Sequence, residues 1–127
     1  MRNAIYWAEI PATNFERVKK FYENVFDTEM ILVPMPRGKY AIFPLDKTAL
    51  GGGAAIVEGK GYEPTQTGAI VYIDRGDNDL NRPLSKVEKA GGKIILNKMQ
   101  NGGSTEAGYI AQFIDTEGNR IGLHSNQ

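Results

Sequence analysis

The chain runs through the same order of segments twice, and this repeat constrains its folding more than any other feature. A strand-like run, Ile5–Ile10, leads into a helical pattern at Asn14–Phe26 and then into several short strand-like segments. From Ala69 the order restarts, with a strand at Ala69–Ile73, a helical pattern at Asp79–Ala90 and short strands to the end. Tyr40-Ala41-Ile42-Phe43 is answered by Tyr109-Ile110-Ala111-Gln112-Phe113, and each run soon reaches an aspartate, Asp46 or Asp115. A repeat of roughly 65 residues is too long for a solenoid unit. It predicts two βαβββ modules in one domain, with a cleft between them.

At 127 residues the chain is one domain, long enough to bury roughly two thirds of its unfolded surface. Fifteen basic and fifteen acidic side chains cancel, so charge gives no reason to expect nucleic acid, an anionic membrane or a strongly cationic ligand as the main partner. The absence of cysteine rules out disulfides, thiolate metal sites and a cysteine nucleophile. The start, Met1–Ile5, carries no apolar signal core, and no apolar run reaches the roughly 18 residues that span a bilayer. The expectation is a cytoplasmic protein.

Local chemistry fills in the modules. Ile5–Ile10 is rich in β-branched and aromatic residues and stops at Pro11, which has no amide donor. Thr13 or Asn14 caps the following helix, with Glu16 in its first turn. Phe15, Val18, Tyr22, Val25 and Phe26 share one face of that helix. Strands follow at Met30–Val33, Lys39–Phe43 and Ala54–Val57. In the second half, Leu80, Leu84 and Val87 carry the buried face of a helix that ends at Gly91-Gly92, with Pro83 in its first turns. Strands at Lys93–Leu96, Tyr109–Ile114 and Arg120–His124 complete it. The fold class is α+β, with curved sheets around a cleft and helices outside. Module 1 covers about 1–58, a Gly- and Pro-broken linker about 59–67, and module 2 about 68–127.

The opening Phe15-x-x-x-x-x-Phe21-Tyr22-x-x-Val25-Phe26 and the close Phe113-x-Asp115-x-x-Gly118-Asn119-x-Ile121-x-Leu123 resemble the vicinal oxygen chelate superfamily. The join Val87-Glu88-Lys89-Ala90-Gly91-Gly92-Lys93-Ile94 fits the same pattern. That superfamily includes glyoxalase I, bleomycin-resistance proteins and extradiol dioxygenases, so the resemblance implies fold far more than activity. Its enzymes hold one divalent metal with His and Glu from four strands, as a Lewis acid toward adjacent substrate oxygens. Carried over, those ligand positions fall on Trp7, near Ile70, within Gly53–Ile56, and on Gly122 where the family has Glu. None of these side chains suits Zn²⁺, Ni²⁺ or Fe²⁺. The resemblance also implies a homodimer.

Strand alternation puts Trp7 and Glu9 on one side of the first strand, and the family pattern assigns that side to the cleft. Ile70 and Tyr72 face it from the second module, and Gly122 and His124 from the last strand. These six are the candidate ligand-binding residues. Glu9 and His124 are also the two candidate catalytic acid–base groups. Each has a plainer reading: His124 as a half-exposed histidine near the C-terminus, Glu9 as one half of a salt bridge or cross-strand bond, and Trp7 and Tyr72 as core. With a single histidine, a two-histidine metal site within one chain is impossible. Gly51-Gly52-Gly53 is followed by no helix and no Lys-Ser or Lys-Thr pair, so it is no phosphate cradle. Gly102–Glu106 reads either as a loop closing over the cleft or as a hairpin connection.

The expected function is binding of a small, partly apolar or aromatic molecule, without the family's metal. The alternative is a lyase or isomerase resembling lactoylglutathione lyase, or a related dioxygenase, and only then is a divalent metal (Zn, Ni, Mn or Fe) the cofactor.

Overall fold

A computed structural model describes residues 1–102 and 105–127. Gly103 and Ser104 lie outside the described residues, and with them the reading of the Gly102–Glu106 loop as a lid or hairpin. The order is β1 (Trp7–Pro11), α1 (Phe15–Phe26), β2 (Ile31–Val33), β3 (Lys39–Ile42) and β4 (Gly53–Glu58). It then repeats as β5 (Val71–Ile73), α2 (Asn81–Leu84), β6 (Lys93–Gln100), β7 (Tyr109–Ile114) and β8 (Arg120–Ser125). Sheet A has the strand order β1-β4-β3-β2 and sheet B the order β5-β8-β7-β6. In each, the first strand pairs parallel to the fourth and the other pairings are antiparallel. Two βαβββ modules therefore build two open, mixed sheets.

Residue type explains α1. Asn14 caps it, its Oδ1 accepting from the Arg17 amide at 3.1 Å, and Asp27 ends it in the left-handed conformation with φ 50°. The buried stripe is Phe15, Val18, Phe21, Tyr22 and Val25, so Phe21 replaces the half-exposed Phe26 of the expected face. Phe21 packs edge-on to Tyr22 (4.9 Å, 81°) and tilted against Phe113 of β7 (5.8 Å), while Tyr22 meets Phe43 at 5.7 Å. One helix thus joins both modules in one core, which continues through Ile10, Ala41, Ile56, Ile73, Ala111 and Leu123.

The second helix departs from expectation. The pattern predicts Asp79–Ala90, but regular helix is confined to Asn81–Leu84. Pro83 has no amide to give, and the bonds around it tighten: Arg82 to Asp79, Lys86 to Pro83 and Val87 to Leu84 each span three residues. Leu80, Leu84 and Val87 are nevertheless buried. The apolar spacing set the packing face, and the proline set the hydrogen bonding. At the ends of strands, Pro11 is the last residue of β1, opposite Val57, and β6 extends to Gln100 through register shifts after Ile94 and Leu96.

The β7–β8 turn ties the modules together. Glu117 accepts from the amides of Thr13 (3.0 Å) and Asn14 (2.6 Å), the Thr13 hydroxyl (3.0 Å) and Arg17 Nε (2.8 Å). Its side chain is 0% exposed. Burial pushes this carboxyl up, but the bonds from Arg17, Asn14, Thr116 and Thr13 outweigh it and hold it at about 2, below its ordinary 4.5. A depressed carboxylate stabilises the fold fully above 4.5 and loses that contribution as pH falls toward 2. Glu117→Gln is expected to cost about 1–3 kcal/mol at neutral pH. In urea denaturation, the gap between wild type and variant should close as the buffer is lowered through that window.

Candidate functional site

The strand registers decide which side chains share a surface. Trp7 pairs with Gly53, Glu9 with Ala55, and Ile42 with Ala55, so Trp7, Glu9, Gly53, Ala55 and Ile42 lie on one face of sheet A. Tyr40, two residues from Ile42, shares it. Ile10, Ala41 and Ile56 take the other face, in the core. In sheet B, Tyr72 and Gln112 both pair with Gly122, and Ile110 with His124, which sets these residues opposite the core face of Ile73, Phe113 and Leu123. We call the two surfaces away from the core the outer faces. Trp7, Glu9, Tyr72, Gly122 and His124 all lie on them, whereas Ile70 precedes β5.

The two modules use the same device at matching places. An aromatic ring on the first strand lies over a glycine on the fourth, Trp7 over Gly53 and Tyr72 over Gly122. A Cβ at either glycine would run into the ring. Each ring's polar atom is then bound by the third strand: Trp7 Nε1 donates to the Tyr40 hydroxyl at 2.9 Å, and Gln112 Nε2 donates to the Tyr72 hydroxyl at 2.7 Å. Gln112 Oε1 in turn accepts from Arg120 Nε at 2.9 Å.

Glu9 and His124 belong to separate clusters. The hydroxyls of Tyr40 and Tyr62 both face the Glu9 carboxylate. Burial, offset by the Trp7 N–H and reinforced by Glu9, raises Tyr40 above the ordinary phenol value. The Glu9 charge, more than burial, raises Tyr62. His124 meets acceptors at both ring nitrogens, Nδ1 at 2.9 Å from Asp74 Oδ2 and Nε2 at 3.0 Å from the Ala107 carbonyl. The bond to Asp74, against burial and with help from the Ala107 carbonyl, raises His124 above its ordinary value. Sequence reasoning missed Tyr62, which it placed in the linker, and Asp74, Gln112 and Arg120. Asp74 had a signal: extending the Tyr72–Gly122 register by two residues places it beside His124.

The residues present do not fit the metal set that the resemblance implies. Two of the carried-over positions are Trp7 and Gly122, and aromatic rings cover the glycines of both modules. Among the described residues no group of three or more His, Cys, Asp or Glu is placed to hold a metal ion. No helix among them is long and apolar enough to cross a membrane.

Two outcomes follow. The only histidine in the chain should titrate by NMR above 6.5, and Asp74→Asn should bring its midpoint down. Because the folded value is raised, its stabilisation is complete below 6.5 and is lost as pH rises through the folded midpoint. Gly122→Ala should expel the Tyr72 ring and break its bond to Gln112, costing about 1–3 kcal/mol in thermal or urea unfolding.

No family profile matches the chain, and no curated protein matches it. Solved structures do. A glyoxalase/bleomycin resistance protein from Albidiferax ferrireducens T118 superposes with a TM-score of 0.71 at 13% identity, covering 95% of this chain and 97% of that one. The E144Q mutant of glyoxalase I from Zea mays gives 0.70 at 22% identity, with 95% of this chain matched to 46% of that one. The fosfomycin resistance protein FosX from Listeria monocytogenes gives 0.67 at 14% identity, covering 100% of this chain and 96% of its own. The chain thus spans about half of maize glyoxalase I and nearly all of the other two. At these identities the likeness concerns the fold alone, and the chain shares the paired βαβββ fold of these proteins.

Proposed function

We propose that the protein binds a small, partly apolar or aromatic molecule on its outer faces, without a catalytic metal, and that it works as a homodimer. The observation that carries this reading is an aromatic floor, Trp7 over Gly53 and Tyr72 over Gly122, where the resemblance carries metal ligands onto Trp7 and Gly122. Rings held flat against a sheet by glycine and fixed at their polar atoms offer a preorganised stacking surface. The carried-over ligand positions Trp7 and Gly122 have no side-chain lone pair for a metal.

Exposed apolar side chains support both halves of the proposal. Ile31, which pairs with Ile42, and Val33, which pairs with Tyr40, are 48% and 36% exposed on the outer face of sheet A. Tyr72 is 43% exposed and Met99, which pairs with Ile110, is 49% exposed on that of sheet B. A ligand and a second copy of the chain are the natural cover for such surfaces. A lyase or isomerase of the lactoylglutathione type would need metal-ligating side chains where this chain has Trp7 and Gly122.

Metal analysis and binding test this directly. After incubation with Zn²⁺, Ni²⁺, Mn²⁺ and Fe²⁺ in turn and desalting, the protein should retain no stoichiometric metal. Trp7 is the only tryptophan, and its emission should respond saturably to small aromatic ligands in a screen. One tightly held metal per chain, or no ligand that moves Trp7 emission, overturns the reading.

A further inference from the structure

We infer that the outer face of sheet A recognises an organic cation, an alkylated ammonium group held against Trp7 and Tyr62 with Glu9 as its counter-charge. The inference rests on the outer face being the binding surface and adds the class of ligand.

The argument begins with what Glu9 lacks. Its carboxylate is exposed in the middle of a strand and has no ion pair among the described residues. Its polar neighbours are the hydroxyls of Tyr40 and Tyr62, which orient the charge without neutralising it. The Trp7 N–H is already committed to Tyr40. The cluster therefore offers negative charge and aromatic rings, and its donors are turned inward. On the Trp7 and Tyr62 side an anion would meet the Glu9 charge where the Trp7 N–H is already committed. A neutral aromatic ligand would strip water from the carboxylate and leave it unpaired, which is costly. A hard metal ion would find one carboxylate where several oxygens are required. A soft, weakly hydrated ammonium group satisfies both parts, pairing with Glu9 and lying against the negative faces of the rings.

One cation from the other module bears on this. Arg120 shares with Glu9 a small cavity of about 70 Å³ at the seam between the modules, lined also by Pro11, Thr65 and Val71. Its Nε is committed to Gln112 at 2.9 Å, and it forms no ion pair with Glu9. It bounds the site on one side, so the cation must approach from the Trp7 and Tyr62 side.

The test uses choline and its neutral isostere 3,3-dimethyl-1-butanol, read through Trp7 emission on the intact protein. Choline should bind saturably, and about tenfold or more tightly than the alcohol. Glu9→Gln should reduce choline to the level of the alcohol while leaving the alcohol unchanged. Added salt should weaken choline alone, and this measurement needs no variant if Glu9→Gln does not fold. Equal affinity for the two probes, choline binding indifferent to both Glu9→Gln and salt, or no saturable choline response would overturn the inference. Tight binding of the alcohol or of neutral aromatic ligands would still leave the outer face standing as a ligand surface. If neither they nor choline move Trp7 emission, both readings fall.

Discussion

The structure hangs on a buried carboxylate. Asp115, 4% exposed, sits at the tip of the β7–β8 hairpin and accepts four hydrogen bonds, from the Tyr22 hydroxyl at 2.7 Å, the Glu117 and Asn119 amides at 2.9 and 3.0 Å, and Asn119 Nδ2 at 3.0 Å. Burial still holds it above the ordinary carboxylate range, so these bonds offset most of the cost of its charge without removing it. What that cost secures is position. With Asp115 fixed, Glu117 reaches the first turn of α1 and Asn119 Nδ2 reaches the Pro11 carbonyl at 2.7 Å. Glu58 of β4 completes the helix start, accepting from the Phe15 amide at 2.7 Å. The free amides at the N-terminus of α1 are thus satisfied by carboxylates from both modules. The helix that joins the cores therefore forms with its capping partners only when the modules dock.

Much of this was legible in the chain because local rules and tertiary demands agree. The repeat, the register of β1 that sets Trp7 and Glu9 on one face, and the stripe of α1 all follow from periods of 2.0 and 3.6 residues. The motif around Asp115 was recognisable as a pattern, but its purpose was not. Nothing near Asp115 or Glu117 in sequence announces Tyr22 or Thr13, some 93 and 104 positions away. Helix α2 shows the limit from the other side. Its apolar spacing is helical throughout, yet Pro83 breaks the bonding while burial of Leu80, Leu84 and Val87 survives. Tyr62 was hidden for a third reason. A linker residue has no period, so its approach to Glu9 depends wholly on how the chain crosses between sheets.

The clusters on the two outer faces differ in what they leave unsatisfied. In sheet B, His124 has acceptors at both ring nitrogens and Arg120 is bound by Gln112. An imidazole with two acceptors is best served as imidazolium, which is why Asp74 raises it. Its charge is thereby spent within the module. In sheet A, the phenol hydroxyls face Glu9 but bring no positive charge, so its charge stays available.

This asymmetry arises on a shared scaffold. Both modules lay a ring over a glycine and bind its polar atom from the third strand, so the backbone problem is solved once and repeated. What differs is the residue two positions along the first strand, Glu9 after Trp7 and Asp74 after Tyr72. Asp74 has His124 beside it, whereas the residue opposite Glu9 is Ala55, which has no polar group to offer. A carboxylate across from alanine keeps its charge for something outside the chain; across from histidine it does not. Two copies of one βαβββ unit can therefore differ in which charge they leave unpaired through a single cross-strand neighbour, with no change in fold.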